Sequence, residues 1–267
     1  MRRDNITRKD IITAFIAVLK PLDYIYSLWE AGAAAFNRVD QWSDIDLYVV
    51  VEDDHVEETF LSMKEALLVL SEFDLTFRLP EPTVHGHSQV FWRLKNASSF
   101  LFLDIVVMKR SSRDKFLQFK IHGRPLIHFD KIGVVKDEPI DPEFFLKKIE
   151  ARLENLKITF PLFRVLTLKE INRGNDVEAL SYYVSYTYRP LLEVLRIKYC
   201  PYHYNFFTTY IYYELPPEIV KHLHKLYFVA NASELHKCQV EAEAWFWEVV
   251  KSINLDEVRL KISNPNA

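Results

Sequence analysis

Three aspartates stand where apolar residues are expected. Asp44 and Asp46 fall in "SDIDLYVVVE", and Asp104 interrupts "FLFLDIVVM". Strand side chains alternate between faces, so Asp44 and Asp46 share one face while Ile45, Leu47 and Val49 take the other, the core side. An aspartate inside a buried strand is costly unless it is paired or neutralised. Carboxylates on neighbouring strands repel one another, and their pKa values rise. A divalent cation removes both penalties. Mg²⁺, which takes oxygen ligands and keeps waters for substrate phosphates, suits such a set. A pair of such ions activates an attacking oxygen and stabilises a leaving pyrophosphate. Taken alone, the Asp44/Asp46 pair has a plainer alternative: a cap at the strand start and a carboxylate turned toward a loop.

Gly32 is the second feature. It is one of 5 glycines in 267 residues and lies twelve residues before Asp44. It follows an apolar strand and precedes the helix-forming run Ala33 to Ala35. A glycine there lets the backbone approach a triphosphate closely, with the N–H groups of the helix start facing the anion. A simple strand-to-helix turn is the alternative.

The elements that must position these residues follow from pattern. Apolar residues at helical spacing predict a helix from Asp10 to Lys20, amphipathic rather than a secretory leader despite the preceding Met1-Arg2-Arg3. A strand is expected around Tyr24 to Leu28, and a second from Asp44 to Glu52, rich in β-branched residues. Val56 to Phe73 reads as a helix, and Gln89 to Leu94 and Phe100 to Met108 as strands joined by "KNAS". "HGRPLIHFD" closes this half, which points to a mixed sheet with flanking helices. At "KDEPIDPEFF" the composition shifts, with Asp141 as a helix cap and Pro142 at the first helical position. Beyond it, Phe144 to Lys169, Asp176 to Lys198, Pro217 to Phe228 and Ser233 to Asn254 read as helices. The expected architecture is α+β, a mixed domain over residues 1–138 and a helical bundle over 139–267.

Composition narrows the function classes. Hydrophobic residues at 49% supply a core, and charged residues at 27% argue against disorder. The formal net charge of −3 disfavours a dedicated nucleic-acid binder. No apolar run approaches the ~18 residues of a membrane span. Cys200 and Cys238 are too few for a disulfide framework, which fits a reducing cytoplasm.

Gly32-Ala33, then Asp44-Ile45-Asp46-Leu47, with Asp104 in a later apolar strand, resembles the nucleotidyltransferase superfamily of the DNA polymerase β type. Within it the chain is most similar to the minimal nucleotidyltransferases and to those acting on aminoglycosides and lincosamides. The resemblance covers roughly residues 10–135, and "WSD" (Trp42 to Asp44) looks like the family's lead-in to the acids. It implies transfer of a nucleoside monophosphate, AMP from ATP, to a hydroxyl with release of pyrophosphate. Asp44 and Asp46 would bind two Mg²⁺ ions; Asp104 would bind the catalytic one and act as general base. Gly32, Ala33 and Ser43 would lie against the nucleotide. The serine usual after the glycine is Ala33 here, which leaves its phosphate contact to backbone N–H groups. Cations should face the triphosphate: Arg38 on the intervening loop and, in the helical half, one of Arg189 and Lys198, which are nine residues or about two and a half turns apart and so about half a circumference from each other, with Arg189 the better candidate. The resemblance implies a hydroxyl-bearing acceptor that the sequence does not itself identify, a small molecule being favoured over a protein or an RNA end.

Two other readings stay open. Ala33 also suits a catalytically weak nucleotide-binding or regulatory module. Arg196 and His203, separated by "IKYCPY", loosely resemble the motif of helical HEPN-type ribonucleases, with Pro201 interrupting the helix. His85-Gly86-His87 lacks a third ligand for a metal. The aromatics from Tyr182 to Tyr213 suit helix packing, a stacking pocket or a homodimer surface.

Overall fold

The computed structural model describes residues 6–263, so Met1-Arg2-Arg3 lies outside the described residues. The chain divides into two compact units, Met1–Pro139 and Ile140–Ala267.

The first unit carries a six-stranded mixed sheet. Helix α1 (Arg8–Leu19) precedes β1 (Ile25–Glu30), the single-turn helix α2 (Gly32–Ala35) and β2 (Ile45–Val51). Then come α3 (Val56–Leu70), β3 (Phe73–Arg78), β4 (Ser88–Leu94), β5 (Leu103–Lys109), the single-turn α4 (Phe119–His122) and β6 (Leu126–Asp130). The strand order is β3-β4-β5-β2-β1-β6, and only β2 and β5 run parallel. Alternation in β2 sends Ile45, Leu47 and Val49 into the main core, where Phe15 and Leu19 of α1 and Met63 and Leu67 of α3 cover the sheet. The opposite face of the sheet holds a smaller cluster of Trp29, Val50, Val106 and Met108. The aspartate face is therefore apolar toward one end of the strands and acidic at the other.

α1 starts on a capping box in which Thr7 and Asp10 satisfy each other's backbone and side chain. The helix expected through Phe73 stops at Leu70, where Ser71 turns extended and the chain enters β3. No glycine or proline announces that stop. β3 is an edge strand, and the ion pairs Arg93–Asp74, Lys95–Glu72 and Arg78–Glu57 along it place charge where bare backbone would otherwise invite another strand.

The second unit is helical: α5 (Pro142–Phe163), α6 (Val165–Arg173), α7 (Asp176–Tyr183), α8 (Arg189–Tyr199), the short α9 (Ile211–Glu214), α10 (Pro217–Tyr227), α11 (Ala232–Ser252) and α12 (Leu255–Ser263). Asp141 caps α5 as the sequence predicts, accepting from the Glu143 and Phe144 amides at 3.0 and 3.2 Å. The helix expected from Phe144 to Lys169 is two helices; Pro161 cannot donate to the ladder near the end of α5, and a turn at Arg164 separates α5 from α6. Between α7 and α8 a wide π-type turn, Val184–Tyr188, precedes Pro190, whose ring would otherwise meet the carbonyl of Tyr186 four residues back. No helix among the described residues is long and apolar enough to cross a membrane.

Candidate active site

Parallel pairing of β2 and β5 sets Asp46 directly beside Asp104 in register. Asp44 precedes β2 by one residue, and the Ile45 amide donates to the Phe102 carbonyl at 3.0 Å, so the approaches to both strands are tied together. The three acids thus meet at one end of two adjacent central strands, although Asp46 and Asp104 are 58 positions apart in the chain. All three carboxyls are pushed above the ordinary aspartate value. For Asp46, burial is the largest cause, followed by the charges of Asp44 and Asp104, and its pKa rises to about 7. For Asp44, burial outweighs the help of its own backbone amide and of Arg8. For Asp104, burial outweighs a hydrogen bond from Gln89.

Gly32 is built into this arrangement more tightly than the sequence indicates. Its φ is +49°, and a Cβ there would lie 1.7 Å from Asp46 Oδ2 and 2.6 Å from Asp46 Cγ. The glycine therefore makes room for the Asp46 carboxylate. The Ala31 amide donates to the Asp46 carbonyl at 3.0 Å and stitches the turn to β2. Ala33 follows in a helix of one turn. The loop onward folds on itself: the Arg38 amide donates to the Ala33 carbonyl at 2.8 Å, and Ser43 Oγ donates to Asp40 Oδ1 at 2.9 Å. The Ser43 hydroxyl is thus engaged in shaping the entry to β2. Arg38 is half-buried with its guanidinium 4.9 Å from the Phe36 ring centre.

Gly32→Ala is expected to lower stability by about 2–4 kcal/mol, the sum of left-handed backbone strain and overpacking against Asp46. Gly86→Ala is the matched control, with φ +78° and nothing within 4 Å of its would-be Cβ. Equal urea-denaturation losses for the two variants would show that the contact with Asp46 carries no cost.

Several residues of the site were not singled out from sequence. Glu30, 3% exposed at the end of β1, is clasped by the Arg8 guanidinium and by His128 Nε2 at 2.9 Å. Burial alone would raise its pKa, but His128 and Arg8 outweigh burial and hold it below the usual value. Arg8 also donates to the Asp44 carbonyl, so it joins the start of α1 to the acidic end of β2. An acid closing the apolar run "YIYSLWE" was the available sign of Glu30. On the other side a chain of hydrogen bonds reaches Asp104. The His87 amide donates to His85 Nδ1 at 3.2 Å, which leaves His85 Nε2–H to donate to Gln89 Oε1 at 2.9 Å. Gln89 Nε2 in turn donates to Asp104 Oδ1 at 2.6 Å.

The donor chemistry fits a divalent cation: three oxygen ligands on one face, each destabilised as a carboxylate by the others or by burial. As the side chains stand, no group of three or more His, Cys, Asp or Glu among the described residues is arranged to hold a metal ion. Asp46 rests against Gly32, and Asp104 is held by Gln89.

The remaining expected cations belong to the helical unit and are engaged there. Arg189 is exposed and lies 5.1 Å from the Phe207 ring centre. Lys198 Nζ donates to Ser252 Oγ at 2.9 Å. Arg196 is fully buried, and His203 Nδ1 meets Glu214 Oε1 at 2.9 Å, so the arginine and histidine that resemble a ribonuclease pair are tied into the interior.

No protein-family model matches the chain, and neither does any curated protein. Among solved structures, the chain is similar to an aminoglycoside 6-adenyltransferase from Bacillus subtilis, at 14% identity over 97% of this chain and 92% of that chain, with a TM-score of 0.34. At that TM-score the likeness does not bear on the site, whose case rests on its own residues.

Proposed function

We propose that the sheet unit is the catalytic half of a Mg²⁺-dependent nucleotidyltransferase that moves AMP from ATP to a hydroxyl on a small-molecule acceptor. The observation that supports this reading is the in-register pairing of Asp46 with Asp104 beside Asp44, with Gly32 moulded around the Asp46 carboxylate. Asp44, Asp46 and Asp104 would hold the ions, which neutralise the triphosphate and favour the departure of pyrophosphate. Asp104 accepts the proton of the acceptor hydroxyl as its oxygen bonds to the α-phosphorus, and the bond from that phosphorus to the β-phosphate oxygen breaks. Gln89 orients Asp104 by occupying one of its oxygens. Arg8 and His128 keep Glu30 ionised next to the acids, where its charge adds a smaller push to the raised Asp46 pKa. Backbone amides around Gly32 and Ala33 take the phosphate role of the missing serine. Arg38, Ser43, Arg189 and Lys198 are the further nucleotide contacts of this proposal. A reducing cytoplasm is the compartment this proposal assigns.

Calorimetric titration with ATP and a non-hydrolysable analogue, with and without Mg²⁺, tests the site. Wild type should bind only with the metal, and Asp44→Ala/Asp46→Ala should weaken binding at least 100-fold, about 3 kcal/mol. Metal-independent binding, or binding retained in the double variant, would remove the acids from the site. A second reading, a nucleotide-binding module without useful turnover, is favoured by Ala33 and by the carboxylates' present separation into different contacts. Pyrophosphate release over an acceptor screen separates the two.

A further inference from the structure

The helical unit contains a cleft that the proposed transfer chemistry does not use. Its wall begins at Thr208, in an irregular stretch that precedes α9 and holds Phe207 at φ +53° and Tyr210 at φ +64°. Such backbone persists in non-glycine residues only where surroundings hold it. Here the buried Arg196 guanidinium holds it, donating to the Phe207 carbonyl at 2.7 Å, to the Thr209 carbonyl, and to Glu214 Oε2 at 2.8 Å. The held segment presents Ile211 and Tyr212 against α10. Together with Tyr188, Tyr227 and Phe228 they enclose a hollow of about 220 Å³. A second hollow of about 480 Å³ shares Tyr212, Val220 and His224 with the first and opens toward Lys221 and Lys225. The combined space is in the range of small-ligand sites.

Its chemistry is two-sided. The inner part is aromatic: His224 lies 4.4 Å from the Phe228 ring, and Tyr188 and Tyr227 meet edge-on at 4.9 Å. The Tyr188 hydroxyl is turned away to the Leu223 carbonyl, so that ring offers an apolar surface. The rim is cationic. Lys221 and Lys225 stand four residues apart on one face of α10, and neither makes an ion pair among the described residues. No carboxylate lines either hollow. The neighbouring acid Glu214 is taken up by Arg196 and His203, and Glu241 by His222. Rings stack on such a wall, and an anion at the rim meets two lysines, with the exposed Glu218 one turn before Lys221 as the acid on the same face of α10.

We propose that this cleft binds a small aromatic anion, its ring between Tyr212, Tyr227 and Phe228 and its charged group at Lys221 and Lys225. A polycation is the wrong ligand for this rim. The inference does not depend on nucleotidyl transfer.

The test is calorimetric titration of the full chain with 2-naphthoate and with its cationic counterpart 2-naphthylmethylamine. Wild type should bind the anion about tenfold more tightly than the amine. Lys221→Glu/Lys225→Glu alters two exposed side chains and should invert that preference. Tyr212→Ala, at a residue 73% exposed, should weaken both probes about tenfold. Equal affinity for the two probes, insensitivity of naphthoate binding to these variants, or no binding by folded wild type would each overturn the assignment.

Discussion

Asp46→Asn should stabilise the ligand-free protein at pH 8 and leave its stability nearly unchanged at pH 4. The Asp46 carboxyl has a pKa of about 7 in the fold, raised by burial first and then by Asp44 and Asp104, against 3.8 as an ordinary aspartate. The unfolded chain therefore releases this proton at lower pH than the folded one. Between those two values the folded state holds more protons than the unfolded state, so stability falls as pH rises through the window. Below it the carboxyl is protonated in both states and costs nothing; above it the full penalty is present. A shift of this size corresponds to about 4 kcal/mol, of which a single substitution should recover about 2–3 because Asp44 and Asp104 titrate with it. Urea denaturation of wild type and variant from pH 4 to 8.5 measures the divergence. Parallel curves would mean that Asp46 is solvated and unstressed.

The same experiment carries a metal arm. If the acids are a cation site, Mg²⁺ relieves at pH 8 the repulsion that the variant relieves by removing a charge. The ion should raise the wild-type midpoint and leave Asp46→Asn almost unmoved. Binding should also release protons near pH 7, because the folded apo site holds one there. A metal effect of equal size in both proteins would place the ion elsewhere.

How much of this was legible depends on whether the determinant was local. Alternation alone assigned Ile45, Leu47 and Val49 to the core and Asp46 to the other face, because a period of two leaves no second solution for a strand. That Asp46 and Asp104 lie side by side was not local: it required β5 to insert next to β2 and run parallel to it, a matter of topology. Gly32 was visible as a special residue, but its function of admitting a carboxylate depends on a contact made fourteen residues later. Arg8, His128 and Gln89 carry no motif, and only folding brings them to the acids. The edge strand β3 was lost because "FDLTFR" is short and adjoins a strongly periodic helix without a breaker. In the helical unit, Pro161 and Pro190 were readable as residues, whereas the outcome differed, a helix break after one and a π-type turn before the other.

Arg196→Met should cost about 3–5 kcal/mol, the loss expected when one partner of a buried ion pair is removed. Arg196 is fully buried, and methionine approximates its length without its donors. Four acceptor contacts disappear at once: the Phe207 and Thr209 carbonyls, Glu214 and, at 3.5 Å, Cys200 Sγ. Most of the loss comes from Glu214, left as a buried charge short of a partner. Burial pushes its pKa up, yet His203 and Arg196 outweigh burial and hold it below the ordinary value. With a depressed folded pKa, the pair's contribution is present above the unfolded value and disappears as pH falls through the folded one. The difference between wild type and Arg196→Met should therefore shrink in acid. A double-mutant cycle with Glu214→Gln resolves what the arginine does. Were it only a counter-ion, the double variant would recover most of the loss, a coupling of about 1–3 kcal/mol. The two carbonyls at the left-handed stretch predict something else: stability partly recovered, with 2-naphthoate binding still weakened, because the segment carrying Ile211 and Tyr212 has lost the donor that fixes its course.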